Sequence, residues 1–208
     1  MRRIIIILLS LLCLMPVSAA KKTTNSEEAR RVFDRVYNMV YGPQGCALHY
    51  DVNIISLYKT SGTIYFKEKK QRFSDERVDT WNDGKTAYMV YRKKKTIEVH
   101  EANSDKKDKY SGKFKFDVED FDYSLKREGE DLLLTLKQHK GAKGTIKEAK
   151  ITLEPKTLYP SHVKIKVAFI WCNINISNFR TGGIQDNIFV FPRNRYGSEY
   201  KYVDKRKK

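Results

Sequence analysis

Four histidines and a cluster of acids are the residues of this chain that could first be asked to do chemistry. His49, His100, His139 and His162 stand more than twenty residues apart along the chain. None falls in a metal-ligand or nucleophile pattern: G-x-S-x-G, C-x-x-C, H-E-x-x-H and a glycine-rich phosphate loop are all missing. His49 and His162 lie on the polar sides of alternating segments, where histidines are ordinarily solvated. Asp117, Glu119, Asp120 and Asp122 gather negative charge without the residue order of a calcium loop. Asn175-Ile176-Ser177 matches a glycosylation acceptor but sits in an apolar strand. No catalytic residue, metal site or cofactor is expected, and the chain does not read as an enzyme.

The first twenty residues have the layout of a cleavable export signal. Arg2 and Arg3 precede an apolar run from Ile4 to Met15, and Pro16 leads into Val17-Ser18-Ala19-Ala20. Cleavage is expected after Ala19 or Ala20, releasing the remaining chain to residue 208 as one exported domain. The apolar run is shorter than the roughly 20 residues a membrane helix needs. Cys13 follows Leu12, where lipid-anchor processing needs a small residue, so it reads as an ordinary signal cysteine. Beyond the signal the charge is 39 basic against 25 acidic residues, a net +14. Such a surface suits anionic membranes, acidic partners or plain solubility, and export leaves no nucleic acid to bind. Lys201, Lys205, Arg206, Lys207 and Lys208 close a dense basic tail. An oxidising compartment permits a disulfide between Cys46 and Cys172; the other reading is that each is a small buried hydrophobe.

What the chain spends its residues on is alternating apolar pattern. One amphipathic helix comes first, capped at Thr24 or Asn25. It carries Ala29, Val32, Phe33, Val36, Tyr37 and Val40 on one face and ends at Gly42-Pro43. From Cys46 the period drops to two, with Cys46, Leu48, Tyr50, Val52 and Ile54 against Ala47, His49, Asp51 and Asn53. Further strands are expected around Ile64 and Phe66, over Gln71–Trp81, and from Thr86 to Tyr91 after the hairpin turn Asn82-Asp83-Gly84. More follow at Thr96–His100, Asp122–Glu128, Asp131–Gln138, Ile146–Leu153, Val163–Trp171, Asn173–Phe179 and Ile184–Phe191. No turn former separates Trp171 from Asn173, so either a long strand bends there or a hairpin forms without glycine. Residues 101–113 are polar, and Phe114, Phe116, Val118 and Phe121 follow as a spaced apolar set of unassigned structure. An antiparallel meander of this size must curl, close or split. The fold class is mainly β (α+β), and its aromatic strand faces (Tyr50, Tyr58, Tyr65, Phe66, Phe73, Trp81, Tyr88, Tyr91) either fill a core or line a cavity.

A family resemblance enters with the order of motifs. The helix leads to Gly45-Cys46-x-Leu48-x-Tyr50, then Gly62-Thr63-Ile64-Tyr65-Phe66-Lys67, Arg72-Phe73, and Trp81-Asn82-Asp83-Gly84-Lys85-Thr86 with Tyr88. Ile151-Thr152-Leu153, Leu158-Tyr159-Pro160, Ile176-Ser177-Asn178-Phe179 and Phe189-Val190-Phe191-Pro192 follow. In this order they resemble the periplasmic outer-membrane lipoprotein carrier proteins, the LolA-like family, over essentially all of residues 21–208. The resemblance implies an unclosed antiparallel half-barrel of about 9–11 strands, with short helical lid elements beside the N-terminal helix. It implies a monomer that receives lipoprotein acyl chains, or other lipids, from an inner-membrane exporter and delivers them to an outer-membrane acceptor. Members of the family hold the lid with an arginine in a K-R-P segment. Here that stretch reads Lys67-Glu68-Lys69-Lys70, with no arginine until Arg72.

A carrier must bind without trapping. Each buried CH₂ is worth about 0.8 kcal/mol, so a long acyl chain in a rigid open cavity would not be released. A lid that covers apolar surface when the cavity is empty lowers the net gain. Phe33, Tyr37 and Val40 are the expected lid side. They would face Leu48, Tyr50, Val52, Ile64, Phe66 and Tyr88, with the choice of concave strand face left open. The alternative function is an envelope sensing module that uses the same half-barrel to detect lipoproteins or dock an acidic partner.

Overall fold

The computed structural model describes residues 24–54, 58–102 and 117–206. The expected export signal with Cys13, most of the polar 101–113 stretch, Phe114, Phe116, Lys207, Lys208 and the side chain of Tyr58 lie outside the described residues.

Helix α1 spans Thr24–Tyr41. Glu27 sits in its first turn, where a carboxylate meets the positive end of the helix dipole. Asn25 is not a cap: its side-chain amide donates to the Leu125 carbonyl (2.7 Å) and accepts from the Leu125 N–H (3.0 Å). The helix stops where Gly42 N–H donates to Asn38 O (2.8 Å), and Thr181 Oγ1 bonds the Met39 carbonyl (3.3 Å).

Twelve strands follow: β1 (Cys46–Ile54), β2 (Tyr58–Lys67), β3 (Lys70–Asp75), β4 (Val78–Asn82), β5 (Thr86–Tyr91), β6 (Thr96–Glu101), β7 (Phe121–Glu128), β8 (Asp131–Gln138), β9 (Ile146–Leu153), β10 (Pro160–Val167), β11 (Ile170–Thr181) and β12 (Lys201–Asp204). They form one sheet in the order β12-β6-β5-β4-β3-β2-β1-β11-β10-β9-β8-β7. All neighbours are antiparallel except β12 and β6. Two meanders, β1–β6 and β7–β11, meet where β11 pairs with β1. The edges β7 and β12 do not pair, so the sheet is open, as the half-barrel expectation requires.

Local chemistry accounts for several turns. Asp83 Oδ1 accepts the N–H groups of Lys85 and Thr86 (both 2.8 Å), and Gly84 takes φ +91° between β4 and β5. The Gln71–Trp81 stretch is two strands, because the Asp75 carboxylate accepts the N–H groups of Arg77 and Val78 and folds the chain back. The chain does reverse in a hairpin without glycine, but at Ala168-Phe169, with Ala168 at φ +54°, so the expected Val163–Trp171 strand ends at Val167 and Trp171 and Asn173 share β11 without a break. The Ile184–Phe191 segment is not a strand. After Gly182 and Gly183, both at positive φ, it forms a 3₁₀ turn at Asp186–Phe189 on the face away from α1. The chain then adds β12, which no sequence pattern indicated.

The sheet has two differently covered faces. On the inner face, Ala29, Phe33 and Val36 of α1 pack with Phe121, Tyr123, Leu134, Leu136, Ile146 and Leu153 over β7–β9. On the outer face, Ile184 and Phe189 cover Ala47 and Tyr65, while Phe191 covers Trp81, Val90 and Ile97.

Candidate functional site

Between α1 and the inner face lies a cavity of about 430 Å³. Its walls come from the helix, from β1, β2 and β3 on one side, and from β9, β10 and β11 on the other. No lining residue is charged; the only side-chain polar atoms are the hydroxyls of Tyr37, Tyr41 and Tyr50.

Strand register explains how these residues converge. Tyr50 pairs with Ile176 on β11 and Gly62 on β2, and Val52 pairs with Ile174, which pairs in turn with Val163. Leu48, Ile64 and Phe73 form the next row. Rows two residues apart point to the same side, so one apolar face runs across the strands. Gly62 shapes the floor. A Cβ there would collide with the Ser74 carbonyl and stand 2.7 Å from the Tyr50 hydroxyl. Without it, the Tyr50 ring lies over the sheet and stacks on Phe73, 5.7 Å between centroids and 15° between planes. The Tyr50 hydroxyl is buried and has no hydrogen-bond partner among the described residues; burial, and then the nearby Asp75 carboxylate, push its pKa up.

Phe33, Tyr37, Val40, Leu48, Tyr50, Val52, Ile64 and Phe66 all line this cavity. Tyr88 does not. It pairs with Trp81 and Val99 on the row that contains Arg72 and Ala47, and stacks on Phe191 at 4.3 Å on the outer face. Counting in twos from Thr86 could not reveal this, because the turns that fix the register between strands reset the alternation. The sequence reading also missed Ile151, Pro160, Val163, Ile174 and Ile176. Their strands were legible, but their adjacency to β1 comes from the β1–β11 pairing. Val36 and Tyr41, by contrast, could have been found by continuing the helical stripe.

The cover is α1 alone among the described residues; the 3₁₀ turns at Asp186–Phe189 and Arg193–Arg195 lie elsewhere, against the outer face. The helix grips its two halves of the sheet unequally. Its N-terminal half is buried over β7–β9 and tied by the Asn25 amide and by Arg30, which pairs with Glu119 at 2.9 Å. In the other half, Tyr37 and Tyr41 line the cavity and still reach solvent, 45 % and 40 % exposed. They make a ladder, Tyr37 to Tyr41 at 4.9 Å and Tyr41 to Phe66 at 5.0 Å, that forms the mouth.

No family model matches the chain, and no curated protein matches it. Solved structures do. One is a DUF1329 family protein from Desulfovibrio piger, with a TM-score of 0.44 at 14% identity over 84% of this chain and 100% of that one. A second is a putative outer membrane lipoprotein-sorting protein domain from Vibrio parahaemolyticus, with a TM-score of 0.39 at 10% identity over 83% and 99%. A third is a LolA superfamily protein from Nitrosomonas europaea, with a TM-score of 0.38 at 6% identity over 78% and 97%. These likenesses are distant, and the functional reading rests on the cavity.

Arg72 holds no lid. It lies on the outer face, its guanidinium 3.8 Å from the Trp81 ring centroid and bonded to Asp79 at 3.2 Å. Lys67 and Lys70, from the stretch in place of K-R-P, each reach Asp186 at 3.0 Å and fasten the Ile184–Phe189 segment.

The other candidates for chemistry are dispersed. His49 lies 3.8 Å from Asp51, His139 bonds Asp122 (3.0 Å) and His162 bonds Asn175 (2.6 Å). His100, 1 % exposed, bonds Glu98 at 3.1 Å. Among the described residues no three His, Cys, Asp or Glu side chains come together as a metal set. Cys46 and Cys172 are free thiols. Cys46 pairs with Thr181 and Cys172 with Ile54, at opposite ends of the β1–β11 ladder. Eight strand residues separate them, roughly 27 Å at the usual rise, far beyond the reach of a disulfide.

Proposed function

We propose that this chain is a periplasmic carrier that holds acyl chains of lipoproteins, or of other lipids, in the cavity beneath α1 and shuttles them toward the outer membrane. One observation carries the reading: a cavity of about 430 Å³, lined without a charged group and covered by a single helix. The volume lies within the range of about 300–1,000 Å³ typical of ligand pockets. A lining without charge offers a fatty chain transfer from water and offers a polar metabolite almost nothing to bind. The uneven grip on α1 supports exchange. Its C-terminal half can lift at Tyr37 and Tyr41 while the other half stays packed, and the surface exposed by lifting offsets part of the ligand's gain. The partners in this reading are an inner-membrane exporter and an outer-membrane acceptor, and the carrier acts as a monomer without a cofactor.

The test is to purify the protein from its export compartment, extract it and search the extract for acylated lipid by mass spectrometry. Delipidated protein should bind a fluorescent fatty acid, and Phe66→Asp should abolish that binding. Wild-type protein that holds no acyl ligand in either assay overturns the reading.

A further inference from the structure

The hairpin between β10 and β11 breaks the rules of its own turn. Two-residue hairpin turns favour Gly, Asn or Asp, which accept positive φ and face water. Here Ala168 takes φ +54° and the next residue is Phe169, whose side chain is 84 % exposed. Ile170 follows at 39 % exposed. Neither residue packs into any of the buried clusters on the two faces of the sheet. Such a local conflict without a packing gain is what a functional surface leaves in a sequence.

The surroundings of this tip are basic. The Ala168 N–H reaches the Thr145 carbonyl at 3.4 Å, which places the β8–β9 loop beside the turn. That loop carries exposed Lys140 and Lys143, and Lys147 and Lys164 are exposed on the adjoining strands. None of these four lysines has an ion-pair partner among the described residues. Trp171 lies under Lys150 and Lys166, with the ammonium groups 5.4 and 5.7 Å from its ring centroid. An aromatic tip, an indole just behind it and four lysines without acidic partners, of which Lys147 donates only to the neutral Gln138 Oε1 and Gly144 O, together match the layers of an anionic bilayer surface: acyl boundary, interface and phosphate.

We infer that the β10–β11 tip is a membrane-docking element. Phe169 and Ile170 enter the headgroup boundary of an anionic lipid surface, while Lys140, Lys143, Lys147 and Lys164 meet its phosphates. The inference does not depend on what the cavity holds.

The test uses the full exported chain with vesicles of phosphatidylethanolamine and phosphatidylglycerol, and with vesicles of phosphatidylcholine alone. Wild type should co-sediment with the anionic vesicles, and binding should weaken as salt rises. Phe169→Ser with Ile170→Ser should weaken it by about 10-fold or more, as the loss of two apolar contacts implies. Lys140→Glu with Lys143→Glu should weaken it comparably and make what binding remains less sensitive to salt. Both sites are exposed, so thermal melts and fatty-acid binding in the cavity should match wild type, which separates this test from that of the cavity. Equal binding by wild type and the serine variant, or equal binding to both vesicle types, overturns the inference. So does a wild-type dimer that the serine variant abolishes while no vesicle binding is seen.

Discussion

Asn25 and Leu125 exchange two hydrogen bonds, 2.7 and 3.0 Å long, between the first turn of α1 and the backbone of the edge strand β7. A carboxamide matches the donor and acceptor of one extended residue. It therefore serves the unpaired side of an edge strand and fixes one end of the helix in a single gesture. At the other end the ladder Phe33–Tyr37–Tyr41 makes ring contacts, and one longer bond runs from Thr181 Oγ1 to the Met39 carbonyl (3.3 Å). The helix is thus pinned at its start and held mainly by side-chain packing where it borders the cavity mouth.

Asn25→Ala should remove that pin. The bonds lie at the surface, so the expected loss is about 1 kcal/mol. It should be read as a lower urea midpoint with unchanged slope. An unchanged midpoint would show that the helix is positioned by apolar packing alone.

Ile174→Phe tests whether the space under α1 is open. In a filled core the extra ring atoms would be overpacked, at about 1–3 kcal/mol. In an open cavity the ring occupies free volume between Val52 and Val163, its partners across β1 and β10. The expected result is stability within about 0.5 kcal/mol of wild type, together with at least a tenfold loss of fatty-acid affinity. A destabilised variant that binds normally would contradict the cavity.

How much of this was readable in advance depended on whether a feature was local. The edges of β5, β8 and β9 follow from alternation and turn residues, and the sequence reading placed Thr86–Tyr91, Asp131–Gln138 and Ile146–Leu153 where the structure has them. Alternation separates Leu48, Tyr50 and Val52 of β1 from Ala47, His49 and Asp51 but leaves open which set faces inward; the structure puts Leu48, Tyr50 and Val52 on the cavity side. Tyr88 was assigned to the wrong face, since alternation gives two faces and only inter-strand register says which is which. The contributions of Ile151, Val163 and Ile174 depend on β11 returning to β1, a contact between residues more than a hundred positions apart. The segment Ile184–Phe191 is as apolar as a strand. It packs as irregular chain because Gly182 and Gly183 turn it across the outer face rather than along the sheet edge.

Acid should loosen the β3–β4 corner through Asp79. Burial raises its pKa, but hydrogen bonds from Ser74 and Arg92 and the charge of Arg72 outweigh that and hold the carboxyl below its ordinary value. A depressed folded pKa means stability that is fully present above the unfolded value near 3.9 and lost as pH falls through the folded one. Urea midpoints measured from about pH 6 downward should therefore fall below about pH 4. Asp79→Asn, which leaves Arg72 and Arg92 facing an uncharged amide, should lose about 2–3 kcal/mol at neutral pH. It should also flatten the acid slope. An Asp79→Asn protein with the wild-type slope would move the acid sensitivity to another carboxylate.

The two cysteines give a prediction in which compartment and geometry oppose each other. Export to an oxidising compartment, as proposed above, would favour a bridge, yet the β1–β11 register holds Cys46 and Cys172 at opposite ends of their ladder. Native protein should therefore carry two free thiols even after export, and reductant should leave its melting temperature unchanged. Burial pushes the Cys46 thiol up to about 11, against a smaller lowering by its bond to the Phe66 backbone, and burial also raises Cys172. At neutral pH only about one Cys46 in 10,000 is then the reactive thiolate, so iodoacetamide should modify it slowly until denaturant is added. Protein that yields no thiol after denaturation would mean that the bridge forms, which the paired strands could accommodate only by giving up their register.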